Sequence, residues 1–135
     1  MHHTISVCYP AIYPLEIVRF FLDYHSEKEI LRRASSGTIL VLIFDGVIRA
    51  TGFLDGEELG GVYVHTEYQR RGFGTEIVNN LLRIASNGKQ QYVRLDATPI
   101  AKSMYEKLGF KMVSPAVQMV GEVPLRYFKM EKFLS

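Results

Sequence analysis

One twelve-residue stretch, Val64–Thr75, reads VHTEYQRRGFGT and constrains the fold more than any other part of the chain. Strand-like segments precede it and a long amphipathic helix follows it. The N-terminus of a helix leaves backbone N–H groups unpaired and carries a partial positive charge. Gly72 and Gly74 have no side chain to keep a bulky anion from this backbone, and Arg70 and Arg71 add charge. The stretch therefore predicts a phosphate cradle, although a plain tight turn before a helix explains the glycines equally well.

The length and composition indicate a single globular domain spanning residues 1–135. The net charge is +2 and the basic residues are spread along the chain, so a nucleic-acid partner is not expected. Cys8 is the only cysteine, which excludes an internal disulfide and makes a reducing, cytoplasmic setting the default. We expect no signal peptide, because residues 1–8 lack a basic start and an apolar core. The longest apolar run, Ile39–Phe44, is too short to span a bilayer, so no membrane partner is expected.

The N-terminal part of the chain predicts one strand followed by two helices. Thr4–Cys8 alternates apolar and polar residues as a short strand does. Apolar residues then recur at helical spacing after Pro14, and a proline suits the first turn of a helix. A second helix is predicted from Ser26 to about Ala34, because Ser26 and Glu29 have the spacing of a capping box.

Three strands are predicted to follow as an antiparallel meander. They lie at Ile39–Phe44, Val47–Leu54 and Glu58–Val64. The dipeptides Asp45-Gly46 and Asp55-Gly56 separate them, and Asp-Gly is a strong signal for a tight hairpin turn. The third strand leads directly into the stretch that predicts the cradle.

The second half of the chain is predicted to alternate helices and strands. The pattern gives a helix over Gly72–Asn87, a strand over Tyr92–Asp96, a helix over Thr98–Leu108 with Thr98 as its cap, a strand over Phe110–Val113, an irregular or weakly extended connection over Pro115–Pro124 and a strand over Arg126–Phe133. A helix crossover makes the strands before and after the long helix parallel neighbours. Ligands bind near the carboxyl ends of strands where the topology changes, which is where the predicted cradle lies.

Two motifs resemble the GCN5-related N-acetyltransferase (GNAT) family. Val64–Thr75 resembles the pyrophosphate-binding loop of the family. Ala101–Phe110 reads AKSMYEKLGF and resembles the helix that follows in the family, which ends in Tyr-Glu-Lys-x-Gly-Phe. The resemblance implies the acyl-CoA N-acyltransferase-like fold. This fold is of the α+β class, an α/β/α sandwich whose mixed, mostly antiparallel central sheet has a parallel pair splayed at the cofactor slot.

The resemblance implies an N-acetyltransferase that moves the acetyl group of its co-substrate, acetyl-CoA, to an amine of a small molecule or peptide by direct attack. The implied cofactor-binding residues are Val62, Tyr63 and Val64 along the pantetheine arm, Gln69, Arg70, Arg71, Gly72, Phe73, Gly74 and Thr75 at the pyrophosphate, and Thr98, Ala101 and Tyr105 farther along the chain. Gly60 and Gly61 would form a bulge that opens a slot for the arm, and a simple twist of the strand is the alternative. A non-catalytic module that binds acyl-CoA as a sensor or partner domain is the alternative function.

The resemblance also implies two catalytic residues. A tyrosine at the position of Tyr105 protonates the leaving thiolate of coenzyme A, since a phenol with a pKa of about 10 stays protonated at neutral pH. A core tyrosine is the alternative. Glu58 matches a glutamate that acts as the base in some family members, and Glu57 and Asp55 are weaker candidates for the same role. In other family members the amine loses its proton through water. The alternative is that Glu58 is a solvated surface residue without a catalytic role. Thr98 stands where family members often carry asparagine, and it would contact the cofactor or only cap its helix.

The acceptor pocket is expected between the N-terminal helices and the segment Ser114–Arg126. Aromatic walls for this pocket could come from Tyr13, Phe20, Tyr24 and Tyr127. The alternative is that these residues belong to the hydrophobic core. The acidic residues near the slot would suit a cationic acceptor.

His65 could shuttle a proton or contact the ligand. No spacing of His, Asp and Glu indicates a metal site, and exposed strand edges favour a homodimer.

Overall fold

The computed structural model describes residues 1–2, 5–6 and 13–134. The short strand predicted over Thr4–Cys8 therefore falls mostly outside the described residues. Ile5, which is described, is helical rather than extended, and its N–H donates a hydrogen bond to the Met1 carbonyl oxygen at 3.1 Å.

Two helices begin the continuously described part of the chain. Helix α1 (Leu15–Tyr24) starts after Pro14, and α2 (Glu27–Ser36) starts after Ser26. The Ser26 hydroxyl accepts a hydrogen bond from the Glu29 N–H at 3.3 Å, as an N-cap does. Both helix predictions are confirmed.

An antiparallel meander follows the helices. It consists of β1 (Thr38–Phe44), β2 (Val47–Asp55) and β3 (Glu58–Val64). Asp45 and Gly46 have φ angles of 53° and 73°, and two consecutive left-handed residues are typical of a tight hairpin turn. The predicted strands and turns of the meander are confirmed.

Helix α3 (Phe73–Asn87) crosses from β3 to β4 (Tyr92–Ala97). Its buried stripe consists of Ile77, Val78, Leu81, Leu82 and Ala85. Burying each of the larger side chains stabilises the fold by about 1.5–3 kcal/mol. Strands β3 and β4 are parallel neighbours, as predicted, in a six-stranded sheet of order β1-β2-β3-β4-β6-β5.

Helices cover both faces of this sheet. Neighbouring residues on a strand point to opposite faces. A side chain at Gly52 of β2 would collide with Ile77 of α3. The next residue, Phe53, lies instead against Arg33 of α2, with 4.4 Å between the guanidinium carbon and the ring centroid. Helices α2 and α3 therefore pack on opposite faces, which confirms the predicted α+β class and its α/β/α layers.

Helix α4 (Lys102–Lys107) begins later than predicted. The carbonyl oxygen of Thr98 accepts hydrogen bonds from the N–H groups of Ala101 and Lys102 at 3.0 and 3.1 Å. The chain thus makes a turn before the regular helix, and Ala101 is the N-cap residue, with no side-chain cap. The prediction that Thr98 caps this helix is wrong, because the turn after it is not regular α-helix.

A long hairpin ends the described chain, formed by β5 (Lys111–Val120) and β6 (Val123–Phe133). The segment Pro115–Pro124, predicted as an irregular or weakly extended connection, is instead regular strand except at its turn, because β5 continues to Val120 and β6 begins at Val123. β5 is the outermost strand and its register shifts just before Pro115, so the missing N–H of this proline is tolerated. Pro124 lies at the end of β6 that β4 does not reach.

Candidate active site

The strand, loop and helix predicted from Val64–Thr75 are present. After β3, a 3₁₀ turn at Thr66–Tyr68 leads to Gln69, whose side-chain amide donates a hydrogen bond to the Val64 carbonyl oxygen at 3.2 Å. This hydrogen bond ties the loop back to the last residue of β3. Gly72 is the N-cap residue of α3, and the first N–H groups of a helix have no partner within it.

The two glycines of the loop have different roles. Gly72 has φ +82°, a left-handed conformation that favours glycine, and a Cβ there would meet nothing within 4 Å. Gly74 is buried, and a Cβ there would contact Val64 and Met104 at 3.5 and 3.8 Å. Gly72 therefore leaves open space at the start of α3, whereas Gly74 lies where α3 packs against β3 and α4.

Two guanidinium groups lie on the ring of Tyr68 beside the loop. The guanidinium carbons of Arg49 and Arg71 are 4.2 and 5.0 Å from its centroid, and the Phe73 ring stacks on it at 6.0 Å. No ion pair among the described residues includes Arg49, Arg70 or Arg71. Arg49 was not predicted, because it lies on β2 and reaches the loop only through the pairing of β2 with β3.

Strands β3 and β4 pair at one position. Glu58 lies opposite Arg94, whose N–H donates to the Glu57 carbonyl oxygen at 2.8 Å, and no further residue pair joins these strands within the described ranges. On the other side of β3, the register with β2 shifts, and Gly61 has φ +60°. The predicted bulge at Gly60 and Gly61 is confirmed, which excludes a simple twist.

A cavity of about 200 Å³ lies where β3 and β4 separate. Its lining includes the predicted site residues Glu58, Val62, Tyr63, Thr98, Ala101 and Tyr105. Phe20 and Tyr24 of α1 and Tyr127 of β6 form further walls, so the first N-terminal helix and the C-terminal hairpin both contribute to the cavity. Tyr13, also predicted for the walls, packs instead on Phe21 with ring centroids 5.7 Å apart.

Tyr105 reaches the cavity from the core. The residue is 6% exposed, and its ring meets Phe110 edge to face with centroids 5.7 Å apart. It belongs to the main hydrophobic cluster and also lines the cavity. Tyr105 is therefore a core tyrosine whose ring forms part of the cavity wall.

Glu58 is held at the cavity by α1. The Tyr24 hydroxyl donates a hydrogen bond to its Oε1 at 3.3 Å. Desolvation, followed by the negative charge of Glu58, raises the pKa of Tyr24, so this phenol remains a neutral donor. Asp55 instead accepts a hydrogen bond from the Ser36 hydroxyl at 3.0 Å. Of the three acidic residues considered as base, Glu58 lines the cavity, whereas Asp55 and Glu57 do not.

A second carboxylate, Asp96 of β4, also lines the cavity and was not predicted. Desolvation, followed by the charge of Glu58, raises its pKa, while Lys129 and Arg94 act in the opposite direction. The two strands thus place two carboxylates at one cavity. Buried and exposed residues alternate along β4, and this pattern could have indicated the position of Asp96. Because Leu95 points into the core, Asp96 lies on the opposite face of the strand, which faces α1.

His25 completes the cavity wall at the end of α1. It is 3% exposed, its Nδ1 lies 2.9 Å from Nη1 of Arg33, and its ring meets Tyr63 edge to face at 5.2 Å. Burial, followed by the charge of Arg33, lowers the pKa of His25 to about 3, so the imidazole is neutral at physiological pH. The sequence offered no signal for this pair, because Arg33 lies in a helix of mostly polar residues.

His65, which was considered as a proton shuttle or ligand contact, does not line the cavity. His65 Nδ1 accepts a hydrogen bond from the Glu67 N–H at 3.3 Å, so this histidine caps the 3₁₀ turn. Within the described parts of the chain, no three His, Cys, Asp or Glu side chains are grouped as metal ligands. Over the same ranges, no helix has the length and apolar character needed to cross a membrane.

The model of the acetyltransferase (GNAT) domain family matches residues 8–134 of this chain. The chain therefore belongs to the GNAT family of acetyltransferases. It is an acetyl-CoA-dependent N-acetyltransferase, that is, an acyltransferase with acetyl-CoA as co-substrate. A comparison with curated protein sequences finds no match.

Solved structures of other acetyltransferases share the fold. A GCN5-related N-acetyltransferase from Rhodopseudomonas palustris is 21% identical with a TM-score of 0.86, the match covering 98% of this chain and 84% of that one. The PaiA N-acetyltransferase from Thermoplasma acidophilum, in complex with coenzyme A, is 20% identical with a TM-score of 0.79, over 98% and 87% of the chains. An aminoglycoside 6'-N-acetyltransferase complexed with coenzyme A is 14% identical with a TM-score of 0.70, over 98% and 87%.

Proposed function

We propose that acetyl-CoA lies along β3, between the cradle at the carboxyl end of this strand and the cavity that borders Glu58–Tyr63. The single paired position of β3 and β4, at Glu58 and Arg94, is the observation that carries this proposal. Beyond that position the strands diverge, and an extended ligand can add to a strand edge through backbone hydrogen bonds. The cradle, Gln69–Thr75, follows the carboxyl end of this edge, and Tyr105 lines the cavity beside it.

The described residues fit a coenzyme A thioester along its length. The N–H groups at the start of α3, left open at Gly72, would hold the pyrophosphate. The guanidinium groups of Arg70 and Arg71, with that of Arg49, would add charge-assisted contacts. The strand edge Val62–Val64 would hydrogen-bond the pantetheine arm.

The catalytic groups would act within the cavity. Acetyl-CoA supplies the acetyl group as a thioester. Glu58 would take a proton from the acceptor ammonium before the amine attacks directly, because its carboxylate lines the cavity and is held by a phenol from α1. A backbone N–H of β3 near Val62 would stabilise the oxyanion. Tyr105 would give its phenolic proton to the leaving sulfur, and Thr98 and Ala101 would contact the cofactor from the same wall.

The proposed acceptor is an amine of a small molecule or a peptide. A cavity of about 200 Å³ accommodates a small molecule or the end of one side chain. The aromatic rings of Phe20, Tyr24 and Tyr127, together with the carboxylates of Glu58 and Asp96, favour a cationic amine.

We further propose a homodimer in a reducing, cytoplasmic setting. The outermost strand β5 exposes Val113, Val117 and Met119 beside an edge without a neighbouring strand in the sheet order. The sequence has a single cysteine, Cys8, and so needs no internal disulfide. Light scattering should give twice the chain mass of 15.4 kDa, and a single-chain mass at every concentration would contradict the dimer.

Binding and turnover test the proposed function separately. Calorimetry should show binding of acetyl-CoA, and no binding at high micromolar concentration would contradict the proposal. Thiol release with a panel of amines should exceed the background rate, whereas a non-catalytic acyl-CoA-binding module would bind without turnover. Arg71→Gln should weaken acetyl-CoA binding about tenfold. Arg83→Gln, at an exposed position of α3, is the matched control and should leave affinity unchanged.

A further inference from the structure

Arg33 is a buried cation that the proposed reaction does not use. The residue is 3% exposed, and no ion pair among the described residues includes it. Its Nη1 lies 2.9 Å from Nδ1 of His25, and its Nη2 donates to the Tyr24 carbonyl oxygen at 3.0 Å. Burying a charge is costly unless its hydrogen bonds are satisfied, so the position of Arg33 requires a physical reason.

One set of contacts runs from Arg33 through His25 to β3. A guanidinium donates hydrogen bonds and keeps its proton, so Nδ1 of His25 must accept and Nε2 carries the hydrogen. The imidazole is thereby held in one orientation. Its ring meets Tyr63 edge to face with centroids 5.2 Å apart. Arg33 therefore orients a ring that contacts β3 on the carboxyl side of the bulge.

A second set of contacts runs from Arg33 through Phe53 to the bulge itself. The guanidinium carbon lies 4.4 Å from the centroid of the Phe53 ring. The ring fills the space that side chains of the bulge would need, because a Cβ on Gly60 would lie 2.8 Å from Cζ and one on Gly61 2.7 Å from Cδ1. Phe53 thus packs directly against the bulge, and Arg33 packs against Phe53.

We propose that Arg33 is a positioning residue for acetyl transfer, acting through Phe53 and His25 to hold the bulge of β3 in place. The inference rests on the proposed function, because the strand edge Val62–Val64 follows the bulge and would contact both the pantetheine arm and the oxyanion. A planar guanidinium can stack on a ring while donating two directed hydrogen bonds, which a lysine ammonium does not reproduce. The proposal therefore requires arginine rather than any cation at this position.

Kinetics of substituted proteins test the proposal. Arg33→Met removes the cation and keeps an unbranched chain, and it should lower kcat about 10- to 100-fold through a displaced strand edge. The KM for acetyl-CoA should rise more than the KM for the acceptor, and Arg33→Lys should restore only part of kcat. Arg32→Met, at an exposed position of the same helix, is the matched control and should keep the kcat of the wild type. If Arg33→Met does not fold, the kcat of Arg33→Lys decides, and full activity of that variant would overturn the proposal.

A structural measurement separates positioning from general destabilisation. In ¹⁵N-edited NMR spectra, Arg33→Met should shift the amide resonances of Gly60 and Gly61 and leave those of the turn glycines Gly46 and Gly121 in place. Phe53→Leu should do the same, and the double variant should lose no more kcat than the more impaired single variant. Unshifted resonances at the bulge, or losses of kcat that multiply, would overturn the proposal. If the wild type shows no turnover, the proposed function fails, and the bulge resonances still decide whether Arg33 holds the bulge.

Discussion

The hydroxyl of Tyr24 donates a hydrogen bond to Oε1 of Glu58 at 3.3 Å and so joins the last residue of α1 to the first residue of β3. The bond holds the carboxylate at the cavity with a phenol that stays protonated. Removing the carboxylate and removing its donor should therefore affect the reaction differently.

Glu58→Gln should lower kcat/KM about 10²- to 10⁴-fold, because the amide keeps the shape of the side chain and cannot accept the proton. Tyr24→Phe should cost about tenfold, because the base remains. Steady-state kinetics measure both effects. Glu57→Gln is the control. A Glu58→Gln variant as active as the wild type, with chemistry rate-limiting, would assign the proton to water or another group.

Tyr105→Phe should lower kcat about 10²-fold or more, because the sulfur then leaves without its proton donor. The affinity for acetyl-CoA should change little, since phenylalanine keeps the edge-to-face contact with Phe110. Single-turnover measurements report the chemical step directly. Tyr92→Phe removes a hydroxyl from β4 outside the cavity lining and is the matched control. Equal single-turnover rates for Tyr105→Phe and the wild type would show that Tyr105 is not the acid.

Gly61→Ala should destabilise the protein by about 1–3 kcal/mol, because it combines a left-handed backbone with a clash at Phe53. Gly46→Ala is the control, since Gly46 also has positive φ but has open space around it. Urea unfolding should therefore show a larger loss for Gly61→Ala than for Gly46→Ala. A loss at Gly61 equal to or smaller than that at Gly46 would mean that Phe53 gives way and does not define the bulge.

Asp96→Asn should change the pH dependence of stability. The pKa of Asp96 is raised above 3.8 in the folded state, so the folded protein holds this proton more tightly than the unfolded chain. The carboxyl therefore contributes stability below pH 3.8, which is lost as pH rises through the higher folded pKa. The variant should be more stable than the wild type at neutral pH, and the difference should shrink toward about pH 4. Urea unfolding over that range measures it, and a difference that grows on acidification would contradict the assignment.

Local signals in the sequence were sufficient for most elements of the fold. The capping box at Ser26 and Glu29 and the turn at Asp45 and Gly46 depend on neighbouring residues, and both are present. Pro115 pointed away from a strand, because a proline is compatible with a strand only at an edge or a bulge. Which strand is outermost depends on the whole sheet, and no short window of sequence contains that information.

In the candidate site too, some residues can be predicted from local sequence and others depend on the whole fold. The cradle and Tyr105 belong to contiguous motifs, so the sequence alone could predict them. Arg49, Asp96 and Arg33 reach the site from separate strands and a helix, through register and packing. Their residue types are ordinary for exposed positions, so only the three-dimensional arrangement distinguishes them from solvated surface charges.

Among the residues that the structure describes, β3 and β4 pair only through Glu58 and Arg94, so the sheet consists of two half-sheets, β1 to β3 and β4 to β6, joined by a seam with almost no ladder hydrogen bonds. The proposed base belongs to one half, and the proposed acid follows the other in the chain. A ligand that is hydrogen-bonded along β3 would fill the seam and connect the two half-sheets where backbone hydrogen bonds are missing. Binding of the co-substrate and alignment of acid against base would then be a single event.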